Sequence, residues 1–353
     1  MTGGSLTSNN GIGIGYLSKA SSSSGGTINI TGGTITAKTH AIANNYSNIT
    51  FNIGNKDDIY NEYPKLIGGE NNYAIWNRYG KTNFYNGTVI GKYALCGEIN
   101  DLPEGKDAVI TKNVENNIET MTIGNNTEVV KIGDVLYNSL SEAIQNCPDN
   151  IETTITVNKD FANCKAVTIP ENKKIILDLN GNIISAYAPQ NNIVNEGNLI
   201  ITDLTENKNG MIWGRGITNI IKNSGQLNIQ DGKYEMYYTL TGGSIVNNTG
   251  SGKIDISSGN FYLYNDRDVS EYIIYSDSTN ELNILGGTFR LNNSYYGHKS
   301  YAIYNNSVDK NIVTFNNATI TQEDSHYSTY GIYNNSDSRI EILGGNINMS
   351  NIN

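Results

Sequence analysis

Carboxylates are the first residues to consider for chemistry, because paired ones serve as general acid and base and clustered ones hold calcium. Such sites require carboxylates that the fold brings together. Three aspartates lie near successive repeat cores, but at different offsets within their repeats: Asp231, Asp255 and Asp277. We therefore expect them not to converge and interpret them as solvated turn residues.

The densest charged triplet inside a repeat is Asp266-Arg267-Asp268. Two acids beside a base could bind calcium or assist an elimination reaction, and the same residues suit a loop turn. Segment 55–58 has a similar, weaker character. The histidines, His40, His298 and His326, have no Cys or His partners at zinc spacing, and no nucleotide-binding or nucleophile motif is present. The sequence predicts no catalytic residues, no metal site and no cofactor.

The tyrosines are spaced more regularly than the carboxylates and the histidines. Two series repeat at intervals of 29 residues: Tyr272, Tyr301 and Tyr330, and Tyr275, Tyr304 and Tyr333. Strict strand alternation places the first series on the side of the neighbouring isoleucines and the second on the opposite side. If those isoleucines are internal, Tyr275, Tyr304 and Tyr333 form an exposed ladder. The ladder would stabilise the fold by ring packing or offer a platform for sugar rings, and it is our candidate ligand-binding site.

An internal repeat must position these residues. An isoleucine followed two residues later by Asn or Ser recurs every 24 to 29 residues, at Ile193, Ile221, Ile245, Ile274, Ile303 and Ile332. A related column occurs earlier, at Ile14, Ile42, Ile75 and Leu95. Units of this length with short alternating strands cannot bury an apolar face alone and must stack on their neighbours, about 4.8 Å apart. The isoleucines are predicted to form the core of a solenoid.

Polar residues and glycines mark the corners of each predicted coil. The column Asn195, Asn223, Asn247, Ser276, Asn305 and Asn334 indicates a hydrogen-bonded ladder. Paired residues mark sharp turns at Gly32-Gly33, Gly242-Gly243, Gly286-Gly287, Asn316-Asn317 and Gly344-Gly345.

One helix is predicted, at about Ser139 to Cys147, with Ser139 as N-cap, Glu142 completing a capping box and Pro148 ending it. Leu140, Ala143 and Ile144 form its apolar stripe. Because a terminal coil exposes apolar side chains and unpaired strand edges, we expect the helix to cover one end of a solenoid.

This helix, a strand and the segment TIPENKKIILDLNGNII (168–184) together resemble the N-terminal cap of pectate-lyase-like right-handed β-helix domains. The resemblance covers about residues 130–353 and, weakly, 1–103. It implies an all-β fold, a right-handed parallel β-helix (β-solenoid) with one short capping α-helix. The expected organisation is the C-terminal coils of a first β-helix array at 1–103, a linker or end cap at 104–130, and a second β-helix at 131–353 with an N-terminal helical cap at about 139–147. The Asn-, Ile-, Tyr- and Gly-rich style is similar to large repetitive surface proteins of Gram-positive bacteria.

Composition limits the partners. The net charge of −10 gives no basic footprint for nucleic acid, and no apolar run is long enough to span a bilayer. The chain opens within a repeat, so we expect any export signal or wall anchor to lie outside this sequence and the protein to be secreted or cell wall-attached. Three cysteines, Cys96, Cys147 and Cys164, do not form a disulfide framework, and a bridge between Cys147 and Cys164 remains open.

Two classes of function follow, with a third left open. The first is a non-catalytic surface stalk or adhesive module that binds glycans or surface proteins. The alternative is a β-helix polysaccharide lyase or glycoside hydrolase, which the resemblance implies would need register-matched Asp, Arg or Lys on one face. The sequence lacks that pattern and favours the first class. A phage or secretion-system fibre, which would require trimerisation, is the third.

Overall fold

The computed structural model describes the chain except at residues 17–24, 45–47, 57–62, 78–79, 98, 104–105, 114–117, 126, 163–165, 188–190, 238, 240–241, 266–268, 295–297, 308, 310, 324–326 and 350–353. The chain divides into two compact units, unit 1 at 1–126 and unit 2 at 127–353. Each is a stack of short, mostly parallel strands. The predicted all-β, parallel solenoid fold with a single short helix in the described residues is confirmed.

The strands of unit 1 are short, as expected for coils that turn every few residues. In chain order they are β1 Thr2–Ser8, β2 Ile14–Tyr16, β3 Gly26–Ile30, β4 Gly32–Ala37, β5 Ile42–Asn44, β6 Ile49–Ile53, β7 Lys65–Ile67, β8 Tyr73–Asn77, β9 Lys81–Phe84, β10 Thr88–Gly91, β11 Tyr93–Gly97, β12 Lys106–Asn113 and β13 Ile118–Asn125.

Three sheets run along unit 1, in the orders β1-β4-β7-β10-β13-β12, β11-β8-β5-β2 and β3-β6-β9. The predicted column is confirmed, because Ile14, Ile42, Ile75 and Leu95 pair in register from one coil to the next. Residues 106–125, inside the segment predicted as a linker or end cap, hold the hairpin strands β12 and β13. This hairpin adds to β10 in antiparallel orientation and ends the parallel stacking of its sheet.

Unit 2 contains one helix and the remaining strands. These are β14 Val130–Ile132, β15 Val135–Tyr137, α1 Leu140–Asn146, β16 Glu152–Val157, β17 Phe161–Ala162, β18 Val167–Ile169, β19 Lys174–Asp178, β20 Ile183–Tyr187, β21 Asn191–Asn195, β22 Asn198–Thr202, β23 Met211–Arg215, β24 Asn219–Asn223, β25 Gln226–Ile229, β26 Lys233–Tyr237, β27 Ser244–Asn248, β28 Lys253–Ile256, β29 Asn260–Asn265, β30 Glu271–Ser276, β31 Leu282–Ile284, β32 Thr288–Asn293, β33 Ser300–Asn305, β34 Ile312–Phe315, β35 Thr319–Gln322, β36 Thr329–Asn334, β37 Arg339–Ile342 and β38 Asn346–Asn348.

Each coil of unit 2 contributes one strand to each of three long sheets. The ten-stranded sheet has the order β15-β14-β16-β19-β22-β25-β28-β31-β34-β37, the eight-stranded sheet β17-β20-β23-β26-β29-β32-β35-β38, and the seven-stranded sheet β18-β21-β24-β27-β30-β33-β36. Neighbouring strands are parallel, except at β14 and β15, which pair in antiparallel orientation at one edge.

The core of unit 2 is a set of side-chain columns parallel to the stacking direction. Ile274, Ile303 and Ile332 pair in register, and the first two are fully buried, which confirms the predicted stack. A second column carries stacked rings: Tyr234, Phe261 and Phe289 lie 4.8 and 4.7 Å apart between centroids. Burial of these columns provides the main stabilisation of the solenoid, because no coil covers its own apolar face.

The predicted polar ladder is present, with one correction. Its members are buried as far as Asn305, while Asn334 is exposed, and several neighbouring members are joined by side-chain hydrogen bonds, as in Asn195 Nδ2 to Asn223 Oδ1 at 2.7 Å. The next member is Asn248, whose Oδ1 accepts from Asn223 Nδ2 at 2.7 Å, and not Asn247. The assignment of Asn247 was wrong by one residue, because Val246 rather than Ile245 pairs with Ile221. Both apolar residues are buried there, so the sequence pattern did not distinguish them.

The corner pairs place one residue each in the left-handed region, with positive φ at Gly33, Gly242, Gly287, Asn317 and Gly345. Three of these sit where a Cβ would also meet backbone at 3.0 Å or less, at Gly33, Gly287 and Gly345. Both the backbone conformation and the close approach of the neighbouring coil therefore favour glycine at those corners.

The helix α1 forms as predicted. Ser139 Oγ accepts from Glu142 N at 3.1 Å, while the Glu142 carboxylate accepts from Asn138 N at 2.9 Å, one residue before the expected partner. Leu140, Ala143 and Ile144 are buried in the core cluster of unit 2, and α1 contacts β14, β15 and β18 at the start of the stack. It therefore covers apolar side chains at that end of the core.

Candidate functional site: a tyrosine face

The strands β30, β33 and β36 do not alternate strictly, and this decides where their tyrosines lie. Ile273 and Ile274 are consecutive and both fully buried, so two successive side chains point inward. The pairing between β30 and β33 correspondingly skips from Tyr272 to Ile274. An interruption of alternation at this point turns Tyr272 and Tyr275 to the same, outer side.

The prediction that Tyr272, Tyr301 and Tyr330 share the inner side with the isoleucines is therefore wrong. They lie beside Tyr275, Tyr304 and Tyr333, with rings from the two series in contact, as between Tyr272 and Tyr275 at 5.2 Å. The sequence signal for this was the pair of adjacent apolar or small residues at the same point of each coil: Ile245-Val246, Ile273-Ile274, Ala302-Ile303 and Gly331-Ile332. We call the six tyrosines the tyrosine face.

Ring packing in the tyrosine face follows two directions. Along each column the rings stack with centroids 4.9 to 5.6 Å apart and interplanar angles of 9 to 16°. Across the columns the rings meet edge to face at 4.9 to 5.6 Å. Both are favourable geometries for aromatic pairs. The result is one continuous aromatic surface two columns wide and three coils long.

Exposure differs across the tyrosine face. Tyr301 is 5% exposed because neighbouring rings surround it, while the other five tyrosines are half-buried. The predicted ladder Tyr275, Tyr304 and Tyr333 thus faces outward but is only partly exposed. Asn306 Nδ2 donates to the Tyr275 hydroxyl at 3.1 Å, and Lys299 Nζ lies 5.5 Å from the centre of the Tyr330 ring.

Burial, and then the neighbouring phenols, raises the pKa of Tyr272, Tyr301 and Tyr304 above the ordinary value. These hydroxyls therefore keep their protons through neutral and mildly alkaline pH. A neutral phenol both donates and accepts a hydrogen bond and presents an uncharged ring face. Such a surface suits uncharged polyhydroxylated ligands with apolar faces.

Earlier in the sheet, the same two columns carry polar residues at every position except Val194. In register with Tyr272 come Asn191, Asn219 and Ser244, where Asn219 Nδ2 donates to Asn191 Oδ1 at 2.7 Å and Ser244 Oγ donates to Asn219 Oδ1 at 2.8 Å. In register with Tyr275 come Val194, Lys222 and Asn247. We call this part of the outer surface the amide face.

A second aromatic group, which the sequence analysis missed, lies on the eight-stranded sheet. The Arg215 guanidinium lies 5.1 Å from the Trp213 ring centre and 5.8 Å from that of Tyr237. Arg290 lies 4.9 Å from the Tyr262 ring and 3.3 Å from the Glu323 carboxylate. Each guanidinium thus packs against aromatic rings of the same sheet. These rings are therefore covered by arginine side chains and do not form an open platform for a ligand.

The carboxylates considered from the sequence are separate from one another. Asp231 pairs with Lys208 at 3.3 Å, and Asp255 accepts from Asn283 Nδ2 at 2.8 Å. Asp277 lies beyond the end of β30, where its backbone N–H donates to Asn248 O at 3.0 Å. In the part of the chain that the structure describes, no group of three Asp, Glu, His or Cys side chains could hold a metal ion. Asp266, Arg267 and Asp268, and also Asp57 and Asp58, lie outside the described residues.

The histidines and cysteines have separate surroundings. His40 Nδ1 lies 2.7 Å from Tyr73 O, its ring meets Trp76 edge on, and burial lowers its pKa. Cys147 is buried, with Sγ 3.3 Å from Ala143 O. His326 and Cys164 lie outside the described residues, so the suggested histidine pair and the Cys147–Cys164 bridge remain predictions.

Comparisons with protein family models, with curated proteins and with solved structures gave no match to this chain. Within the described ranges, no helix has the length and apolar character needed to cross a membrane.

Proposed function

We propose that the protein is a non-catalytic, extracellular β-solenoid that binds glycans along its tyrosine face. The observation that carries this proposal is the two-column array of six tyrosines on the outer side of β30, β33 and β36. A surface that repeats along the solenoid axis matches a ligand that also repeats. Sugar rings present apolar C–H faces to aromatic rings and hydroxyls to phenols, so both parts of a tyrosine contribute.

The chemistry of this surface favours binding over cleavage. Hydrolases and lyases that act on glycans need carboxylates or a strong base at the bond to be broken. The tyrosine face presents neutral phenols instead, three of which have a raised pKa. Stacked phenols can hold a sugar ring in place but lack the acid and base for bond cleavage.

The cellular setting belongs to the same proposal. We infer a pectate-lyase-like β-helix module of a repetitive Gram-positive surface protein, secreted or wall-attached, which projects outward as a rigid stalk. The Asn-, Tyr- and Gly-rich composition, with only 16% charged residues, supports an extracellular surface. A rigid stack of coils would hold the tyrosine face at a distance from the cell and along the length of a polymer.

A glycan array tests the proposal, with neutral and uronate polymers and the intact protein as probe. The matched variant carries Tyr275→Ala, Tyr304→Ala and Tyr333→Ala, with far-UV circular dichroism and thermal melting to establish that it is folded. We expect the intact protein to bind at least one polymer and the folded variant to lose that binding.

Two results would contradict the proposal. Equal binding by the folded variant would place the binding surface elsewhere. Release of unsaturated or shortened products from uronate polymers by the intact protein would identify an enzyme, and Asp266 and Asp268 would then be the first residues to substitute.

A further inference from the structure

A pocket lies at the border between the amide face and the tyrosine face. Its volume is about 510 Å³, within the range of roughly 300–1,000 Å³ typical of small-molecule sites. Its lining includes Ser244 and Asn247 from β27, Tyr272 and Tyr275 from β30, and Ser270 and His298 from the adjoining loops.

The pocket arises from a change in side-chain size between two neighbouring coils. Ser244 pairs in register with Tyr272, and Asn247 with Tyr275. Small side chains therefore form the base at one coil, and two tyrosine rings rise as a wall at the next. Neighbouring coils are only about 4.8 Å apart, so the wall is the end of the tyrosine face itself. A ligand lying along the tyrosine face would therefore reach the pocket where that face ends, at Tyr272 and Tyr275.

Asn247 supplies an observation independent of the pocket's shape. Its Oδ1 is buried and has no hydrogen-bond partner among the described residues. Buried polar atoms are almost always paired, because an unpaired one costs free energy. Rotation of the amide exchanges Oδ1 and Nδ2, so the side chain can offer either an acceptor or a donor to a molecule in the pocket. A ligand hydroxyl is a suitable partner for both.

The lining also favours one class of ligand charge. The described lining residues include hydroxyls, an amide, an imidazole and two aromatic rings, but no carboxylate, lysine or arginine. The lining therefore offers no lysine or arginine charge to pair with a uronate or a sulfated sugar, and the chain carries a net charge of −10. Rings, hydroxyls and an amide together are complementary to an uncharged pyranose ring.

We propose that this pocket binds one uncharged pyranose unit of a neutral glycan, the next unit in line beyond those stacked on the tyrosine face. This inference rests on the proposed glycan-binding function and adds the ligand class and a specific subsite. Asn247 would hydrogen-bond the hydroxyls of this unit, and Tyr272 and Tyr275 would contact its ring.

The test uses isothermal titration of the intact protein with neutral cello- and chito-oligosaccharides of two to six units, and with uronate oligomers as the charged comparison. Asn247→Ala removes the amide, and Asn247→Tyr fills the pocket while adding one more ring to the column of Tyr275. Lys222→Ala is the matched control, because Lys222 pairs with Asn247 in register but does not line the pocket.

Asn247→Ala is expected to weaken binding of short neutral oligosaccharides about tenfold, as for one lost hydrogen bond, and Lys222→Ala to leave it unchanged. Asn247→Tyr should abolish binding of the two-unit oligosaccharides and retain binding of the six-unit ones, which the longer tyrosine face still holds. Thermal melting confirms that each variant is folded.

The outcomes separate the two proposals. If the Tyr275, Tyr304 and Tyr333 triple variant loses binding but both Asn247 variants behave as the intact protein does, the pocket inference is wrong and the glycan-binding function stands. Tighter binding of uronates than of neutral oligosaccharides would overturn the ligand class. If no oligosaccharide or polymer binds, the proposed function fails and the pocket inference fails with it.

Discussion

The inner and outer sides of the seven-stranded sheet differ over the same coils. On the inner side, one polar ladder runs from Asn195 to Asn334, with Asn or Ser at each step. On the outer side, the amide face gives way to the tyrosine face between β27 and β30. In the same strands, the inner polar ladder thus keeps its residue type from coil to coil, while the two outer columns change abruptly at one step.

This difference teaches which positions the fold controls. A buried amide without partners is costly, so every coil must continue the inner ladder that the previous coil began. An outer side chain meets solvent as well as its neighbours, and several residue types are tolerated there. The outer side can therefore change, from the mixed residues of the amide face to six packed tyrosines, without disturbing the inner ladder.

The largest expected effect comes from two separate variants that place a carboxylate on the inner or on the outer side of β33. Ile303→Asp would leave an unpaired carboxylate in the core, at a cost of about 3–5 kcal/mol or more in the free energy of unfolding. Tyr304→Asp, one residue later, should cost about 1–2 kcal/mol, because that side chain is only half-buried. Urea unfolding of the two variants measures both values. Equal losses would end the distinction between inner and outer side.

A smaller effect is expected from breaking the inner ladder. Asn223 accepts from Asn195 and donates to Asn248, both at 2.7 Å, so Asn223→Ala leaves buried groups unpaired and should cost about 2–4 kcal/mol. The control Lys222→Ala, at the exposed neighbouring position, should stay within about 0.5 kcal/mol of the intact protein. Should Asn223→Ala prove as mild as the control, the ladder would not be what joins the coils.

Ring packing in the tyrosine face should contribute less again. Tyr304 contacts Tyr272, Tyr275, Tyr301 and Tyr333, and Tyr304→Ala should lower the free energy of unfolding by about 1–2 kcal/mol. Tyr304→Phe keeps the ring and should cost less than about 0.5 kcal/mol. Thermal melting and urea unfolding compare the pair. A loss above that of Asn223→Ala would make the tyrosine face primarily structural.

The smallest effect is a dependence on alkaline pH. The pKa of Tyr301 is raised by burial, so the folded protein keeps this proton at a pH where the unfolded chain has lost it. The stability that depends on protonated Tyr301 is fully present below about pH 10, the ordinary pKa of tyrosine in the unfolded chain. It is lost as the pH rises above that value. Tyr301→Phe should therefore lose stability less steeply than the intact protein between about pH 9 and 11.5. Parallel curves of unfolding free energy for the two proteins would contradict this origin of the pH dependence.

Much of the fold could be predicted from the sequence because its determinants repeat. The isoleucine columns recur at a nearly fixed interval, as at Ile274, Ile303 and Ile332, and each buried strand must pair with the next. The helix α1 had a complete local signal in Ser139 and its apolar stripe. In the coil of Asn247 and Asn248 the interval varies, and two adjacent polar residues left the register ambiguous by one.

The site was harder to predict, because strict alternation was the wrong rule for these strands. Because Ile273 and Ile274 both point inward, the residues before them lie on the side opposite to the one that strict alternation predicts. Tyr272 therefore lies on the outer side, next to Tyr275. The adjacent apolar pair in each coil carried that signal. The aromatic group around Arg215 had no repeat to reveal it, since Trp213 and Arg215 occur in one coil and Tyr237 joins them from the next coil by sheet pairing.

The central claim is that the tyrosine face and the pocket at its border bind a glycan, while the amide-face positions away from that border, such as Val194 and Lys222, do not. Isothermal titration with the polymer selected on the array tests this claim on two variants. One carries Tyr275→Ala, Tyr304→Ala and Tyr333→Ala, and the other carries Val194→Ala and Lys222→Ala. Loss of three aromatic contacts should raise the Kd roughly 10- to 1,000-fold. The amide-face variant should stay within about twofold of the intact protein. Equal Kd values for the two folded variants would contradict the claim.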